Sequence, residues 1–131
     1  MIKRRILLID DEPGITRLLK LNLEQTGRYE VREENSGKRG LEAAREFKPD
    51  LILLDVMMPG MGGGEIAAGI KRDPDLKDIP IIFLTAAVKK EELGASVGKI
   101  GGRIYVAKPL DVRGVLHLIE RTLGKKGGTT A

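Results

Sequence analysis

The sequence predicts an α/β fold with a doubly wound, five-stranded parallel sheet, and three observations support this. Five segments of strand length and composition recur along the 131 residues. Segments with helical spacing of apolar residues follow each of them, so that strand and helix alternate five times. Most of the strand segments are continuously apolar, which indicates burial on both faces and parallel pairing through helical crossovers. The expected arrangement is flavodoxin-like, with strand order 2-1-3-4-5.

The predicted elements follow one another without a long gap. The strand segments are RRILLID, the weaker YEVRE, DLILLD, PIIFLT and RIYVAK, at residues 4–10, 29–33, 50–55, 80–85 and 103–108. The helical segments are residues 13–25, 37–47, 64–72, 88–100 and 111–123. Pro13 suits the first turn of the first helix, where Asp11 and Glu12 complement the helix dipole. The fourth predicted helix contains Gly94 and Gly98, which cost roughly 1 kcal/mol each relative to alanine, so its local stability should be low.

Composition excludes several kinds of protein. The chain has no cysteine, which rules out disulfides, thiolate chemistry and cysteine-bound zinc. No apolar stretch approaches the roughly 20 residues of a membrane span and no signal peptide is visible, so we expect a cytoplasmic location. The 23 basic residues are dispersed among 19 acidic ones, which argues against direct binding of nucleic acid or membrane. We expect one domain over residues 1–124 and a flexible tail over 125–131.

Polar residues follow the apolar strands at the point where each strand ends. Taken singly, Asp10, Asp11 and Asp55 could cap helices or begin loops, Thr85 could be a β-former, and Lys108 could be a solvated charge. The carboxyl ends of parallel strands share one edge, however, so these residues should converge.

Two carboxylates about 4 Å apart repel by about 4 kcal/mol at an effective dielectric constant of about 20. A cation must offset this, and Mg²⁺, a hard ion that keeps several waters, fits the oxygen ligands better than Ca²⁺. With Lys108 and a hydroxyl nearby, the set forms a site for a phosphoryl group.

These residues together resemble the receiver domain of two-component response regulators. The resemblance covers about residues 3–123, and its features agree in order and spacing. They are Asp10-Asp11 after the first strand, Asp55 in DVMMPG after the third, Thr85-Ala86 after the fourth and Lys108-Pro109 after the fifth.

The resemblance implies a phosphorylated signalling protein rather than an enzyme, although such a protein assists its own phosphorylation and dephosphorylation. Asp55 would accept a phosphoryl group from the phosphohistidine of a sensor histidine kinase or a phosphotransfer protein. Asp10 and Asp11 would hold Mg²⁺, together with Asp55 and the backbone carbonyl of Met57.

The resemblance also implies a switch. Lys108, held by a cis bond before Pro109, would pair with the phosphoryl oxygens, and the Thr85 hydroxyl would turn toward them. Tyr105 resembles the aromatic residue that swings inward on activation. Output would pass through the face of the fourth predicted helix, the fifth strand and the fifth helix, to a downstream protein target or to a second copy of the chain.

Two departures from the receiver pattern concern loops. Gly62 stands where receivers often have an acid, and we expect residues 62–64 to form a flexible loop with no direct role. The sequence GGR at 101–103 replaces the usual small residue plus acid, which puts the exit of the fourth predicted helix in doubt.

Other interpretations remain open. The chain could be a stand-alone regulator, which its short tail favours, or the receiver module of a longer regulator with a DNA-binding or enzymatic output domain. An aspartyl-phosphate hydrolase of the haloacid dehalogenase kind would need an acid two residues after the nucleophile, where this chain has Met57. A degenerate receiver that binds without phosphorylation is disfavoured by the complete set of site residues. His117, the single histidine, is expected to be a solvated or half-buried helix residue rather than a phosphotransfer residue.

Overall fold

A computed structural model describes residues 2–86, 97–100 and 103–127, and strands and helices alternate as predicted over residues 4–85. The strands are β1 (Arg4–Ile9), β2 (Tyr29–Glu34), β3 (Leu51–Asp55), β4 (Ile81–Thr85), β5 (Val97–Ile100) and β6 (Arg103–Ala107). The helices are α1 (Pro13–Gln25), α2 (Gly37–Phe47), α3 (Gly63–Arg72) and α4 (Val112–Gly127). In this part of the chain, no helix has both the length and the apolar character that a membrane crossing requires.

The sheet confirms the predicted topology. Five strands are parallel in the order β2-β1-β3-β4-β6, which corresponds to the predicted order 2-1-3-4-5. β5 adds a short antiparallel strand at the edge beyond β6.

Residues 97–100 correct one prediction. They were expected to end the fourth helix, but they pair with β6 as strand β5; the rest of that predicted helix, 88–96, lies outside the described residues. Gly98 disfavours a helix, whereas Val97 and Ile100 are β-branched. In the sequence, two glycines separate VGKI from RIYV, a spacing typical of a β-hairpin. The last helix also ends later than predicted, at Gly127.

The sheet separates two apolar cores because successive residues of a strand face opposite sides. One core joins the sheet to α1 and α4, and its strand residues include Ile6, Leu8, Leu51, Leu53, Ile82, Leu84 and Val106. The other joins the sheet to α2 and α3, and its strand residues include Leu7, Ile9, Ile52, Leu54 and Phe83. β1, β3 and β4 are therefore buried on both faces, as their continuous apolar sequences predicted.

The edge strand β2 has a different composition. Four of its six residues are charged, and they form ion pairs with neighbouring elements. Arg32 lies 3.8 Å from Glu34 and 3.0 Å from Glu46, and Glu33 lies 3.4 Å from Arg17. Single surface pairs of this kind contribute little to stability, but a charged edge discourages pairing with another strand.

Candidate functional site

The carboxyl edge of the sheet brings the predicted residues together. Asp10 follows β1, Asp55 and Thr85 end β3 and β4, and Lys108 follows β6. β1 and β3 are adjacent in a register that pairs Ile9 with Leu54, so Asp10 and Asp55 occupy the next positions on neighbouring strands. Sheet geometry alone therefore holds two carboxylates side by side.

The ammonium of Lys108 lies among these carboxylates. Its Nζ is 2.9 Å from Oδ2 of Asp10, 3.4 Å from Oδ2 of Asp55 and 2.7 Å from Oε1 of Glu12. The side chains of Asp10 and Asp55 are 1% and 4% exposed, and that of Lys108 is 10% exposed. The ammonium is therefore the cation that compensates two buried carboxylates.

Backbone groups orient both buried acids. The N–H of Met57 donates to Oδ1 of Asp55 at 3.1 Å, and the N–H of Glu12 donates to Oδ1 of Asp10 at 2.9 Å. The side-chain amide of Asn35 donates to the backbone carbonyl of Asp10 at 2.8 Å. Each carboxylate thus keeps its Oδ2 directed toward Lys108.

The surroundings shift the pKa of two of these groups. Burial raises the pKa of Asp55, and although the Met57 N–H opposes this, the neighbouring charge of Asp10 adds to it, and the pKa reaches about 6. Burial alone would lower the pKa of Lys108, but its contacts with Glu12, Asp10 and Asp55 outweigh burial and raise it. Lys108 therefore stays charged at neutral pH, while Asp55 ionises with more difficulty than an ordinary aspartate.

The donor set fits a hard divalent cation. Carboxylate oxygens of Asp10, Asp11, Glu12 and Asp55 lie within 4.8 Å of one another. The buried Oδ2 of Asp10 makes an ion pair with Lys108 but accepts no hydrogen bond. A buried carboxylate oxygen without a hydrogen bond is costly, and a cation that prefers oxygen ligands would satisfy it.

Gly63 and Gly64 correct the expectation that residues 62–64 form a flexible loop, because both lie in α3. Gly63 begins α3, and its N–H donates to the carbonyl of Val56 at 3.0 Å. A Cβ at this position would lie 2.9 Å from Cα of Val56 and closer still to the carbonyl oxygen of Asp55. Gly64 has no such neighbour within 4 Å. Gly63 therefore lets α3 approach the backbone of the Asp55 loop, a tertiary contact that the glycine-rich sequence did not reveal.

Thr85 ends β4 at the same edge of the sheet, and Tyr105 lies in β6. Strand alternation places Thr85 on the α2/α3 face of the sheet, with Phe83, whereas Asp55 belongs to the α1/α4 face. Tyr105 pairs in register with Phe83, and the two rings stack at 5.3 Å. The ring of Tyr105 is already partly buried.

A backbone contact connects the two faces at the site. The N–H of Lys108 donates to the carbonyl of Thr85 at 2.8 Å, and the Lys108-Pro109 bond is cis, as expected.

The side chain of Met57 is 65% exposed. His117 is exposed on α4, in agreement with its predicted environment.

Glu12 is the residue whose contact sequence reasoning missed. We expected it to complement the dipole of α1, and it is the N-cap residue of that helix, but its side chain makes no capping hydrogen bond. Its carboxylate is directed to Lys108, 96 positions later in the chain. The only signal in the sequence was its position beside Asp10 and Asp11.

Comparisons with known proteins agree with this geometry. Residues 6–120 match the family described as response regulator receiver domain. The DNA-binding dual master transcriptional regulator RpaA of Synechocystis is 38% identical over 124 residues, which are 91% of this chain and 48% of that protein. Protein PilH of Pseudomonas aeruginosa is 36% identical over 91% of this chain and 97% of its own length.

Solved structures of response regulator receivers are also similar to this chain. The crystal structure of the N-terminal domain of a response regulator receiver protein from Methanoculleus marisnigri JR1 is 37% identical, with a TM-score of 0.66. The match covers 92% of this chain and 96% of that one. Among curated relatives, the chain spans about half the length of the first ones that it matches.

The close approach at Gly63 predicts a difference between neighbouring glycines. Gly63→Ala should lower the free energy of unfolding by about 1–3 kcal/mol, because the new methyl group must displace the backbone at Val56. Gly64→Ala should be neutral or stabilise by up to about 1 kcal/mol, since alanine favours the helix and meets nothing there. Urea denaturation of both variants measures the difference, and equal stabilities would contradict it.

The raised pKa of Asp55 predicts that the stability of the folded protein depends on pH. Between the ordinary value of 3.8 and about 6, the folded chain retains a proton that the unfolded chain has released. Stability should therefore fall as pH rises through this window, and Asp55→Asn should stabilise the metal-free protein at pH 7 by about 1–3 kcal/mol. Urea denaturation in chelator at several pH values tests this, with Asp75→Asn at an exposed position as control. An Asp55→Asn variant less stable than the parent at pH 7 would contradict the prediction.

Proposed function

This chain belongs to the response regulator receiver domain family, and we propose that it works as a switch whose phosphoryl acceptor is Asp55. The observation that carries this proposal is the position of Asp55, with a buried carboxylate at the carboxyl edge of the sheet and Oδ2 3.4 Å from the ammonium of Lys108. A carboxylate at a strand end can act as a nucleophile, and an adjacent fixed cation can stabilise the charge of an incoming phosphoryl group.

The proposed reaction is a transfer from a phosphohistidine. An oxygen of the Asp55 carboxylate forms a bond to phosphorus while the bond between phosphorus and the donor histidine breaks, and the electron pair of that bond stays on the imidazole nitrogen. The product is an acyl phosphate on Asp55. The donor is a sensor histidine kinase or a phosphotransfer protein, and the exchange takes place in the cytoplasm. By positioning Asp55 and Lys108, the receiver assists its own phosphorylation and dephosphorylation.

We propose Mg²⁺ as the cofactor. Asp10, Asp11 and Asp55 would hold it, with the backbone carbonyl of Met57 as a further ligand, and the closeness of the acidic oxygens, with Oδ2 of Asp10 accepting no hydrogen bond, supports this assignment. When bound, Mg²⁺ would supply positive charge that lowers the repulsion between the phosphoryl oxygens and the acids. Lys108 supplies a second positive charge, 3.4 Å from Oδ2 of Asp55.

Output is proposed to leave through the face that contains β5, β6 and α4. Thr85 and Lys108 interact with the negative charge of the phosphoryl group on Asp55. The hydrogen bond between their backbones couples β4 to β6. Tyr105 lies in β6 and stacks on Phe83 in β4, so a shift between these strands changes the surroundings of its ring. The partner is a downstream protein or a second copy of the chain.

The wider context has two forms among the relatives. RpaA is named a DNA-binding regulator and is about twice as long as its matched part, whereas PilH is matched over nearly its whole length. In either context, the proposed role of this domain is to present a phosphorylation-dependent surface. The hydrolase interpretation is disfavoured because Met57 cannot act as an acid or base.

Phosphorylation can be tested with acetyl phosphate and intact mass. The protein should gain one phosphoryl mass in the presence of Mg²⁺ and none in chelator, and Asp55→Ala should gain none. Asp75→Ala, at an exposed position, should be labelled like the parent. Labelling that survives Asp55→Ala or does not need a divalent ion would show that the acceptor or the cofactor is misassigned.

The output proposal can be tested by hydrogen exchange with and without beryllofluoride plus Mg²⁺. Protection should change across residues 86–106, and Thr85→Ala should reduce the change while Asp55 still accepts phosphate. Thr26→Ala, at the end of α1, is the matched control and should respond like the parent. Changes confined to the loops that hold Asp10 and Asp55 would mean that the switch does not use this face.

A further inference from the structure

We propose that Glu12 is a positioning residue for Lys108. In this proposal it holds the ammonium at the rim of the site in the unmodified protein, and it releases the ammonium when a phosphoryl group arrives. The proposal deepens the proposed function and rests on it, because it concerns how the same site changes between two states.

The three contacts of Lys108 differ in length and in environment. The contact with Glu12 is the shortest, at 2.7 Å, and the Glu12 side chain is 58% exposed, whereas Asp10 and Asp55 are 1% and 4% exposed. A carboxylate at the surface can be rehydrated when its partner leaves, but a buried one cannot. The Glu12 contact is therefore the one that Lys108 can give up at least cost.

The backbone directs Glu12 toward this contact. Its N–H is fixed by Oδ1 of Asp10 at 2.9 Å, and its side chain has no capping hydrogen bond at the start of α1. The shape of the β1–α1 connection thus presents the carboxylate to Lys108. The Glu12 side chain therefore does not cap α1, which is the usual role of a side chain at this position.

The contact has consequences for both neighbours of Lys108. Oδ2 of Asp10 forms an ion pair with the same ammonium at 2.9 Å but accepts no hydrogen bond from it. The phosphoryl oxygens on Asp55 must then compete with Glu12 for Lys108. Glu12 therefore weakens the attraction of the site for a phosphoryl group and keeps the unmodified state populated.

Two substitutions distinguish the effect of the contact between Glu12 and Lys108 from the effect of the negative charge of Glu12. Glu12→Gln removes the charge, and Glu12→Asp keeps the charge but shortens the side chain so that it loses its reach. Glu65→Gln removes a charge from an exposed residue in the first turn of α3, at the same end of the sheet, and serves as control. Because aspartate also favours the N-cap position, thermal unfolding is recorded for every variant to separate helix stability from the effect on Lys108.

The first measurement uses metal-free protein and the ¹H–¹⁵N signal of the Lys108 ammonium. Both Glu12 variants should shift this signal and Glu65→Gln should not. The second measurement is the affinity for beryllofluoride at saturating Mg²⁺, which both Glu12 variants should raise about two- to five-fold, as expected for loss of a half-exposed ion pair.

The outcomes distinguish the two proposals. If Glu12→Asp matches the parent in both measurements, Glu12 acts by charge alone and the positioning role is overturned. If both variants shift the ammonium signal but leave the affinity unchanged, competition with the phosphoryl group is overturned. Failure of the parent protein to bind beryllofluoride or to be phosphorylated would instead count against the proposed function, because the metal-free signal does not depend on either event.

Discussion

The contact between the Lys108 ammonium and the carboxylates of Asp10 and Asp55 is the interaction on which the site depends. Two acids that are almost completely buried would repel strongly without a cation between them. A single ammonium does not offset both effects, since burial first and then the charge of Asp10 keep the pKa of Asp55 raised. The four carboxylates outnumber the single ammonium, so the cluster keeps an excess of negative charge that favours a divalent cation.

The parallel sheet makes this contact possible because it sets which side chains share a face. Asp10, Asp55 and Lys108 continue the strand positions of the α1/α4 core, whereas Thr85 and Tyr105 continue those of the α2/α3 core. Tyr105 and Asp55 therefore occupy strand positions on opposite faces of the sheet. The hydrogen bond from the Lys108 N–H to the Thr85 carbonyl provides a direct connection at the strand ends.

The sequence predicted the features that depend on local pattern and on sheet topology. Continuous apolar strands and helical spacing gave the parallel order, and residues at strand ends gave the convergence of Asp10, Asp55 and Lys108. The strand at 97–100 was missed because a helix was expected to continue through Gly98 to the next strand. The contact of Glu12 was missed because its partner, the Lys108 ammonium, is 96 positions away in the sequence. The close approach at Gly63 was missed because it depends on how α3 packs against the backbone of Asp55 and Val56.

The charged edge strand β2 has a consequence for assembly. A second chain that extended the sheet beyond β2 would have to place its own side chains against Arg32, Glu33 and Glu34, whose charges are already paired within the molecule. Such an addition would break or bury ion pairs and gain little apolar area. Growth of the sheet from molecule to molecule is thus opposed at this end, which protects the edge against fibrous aggregation.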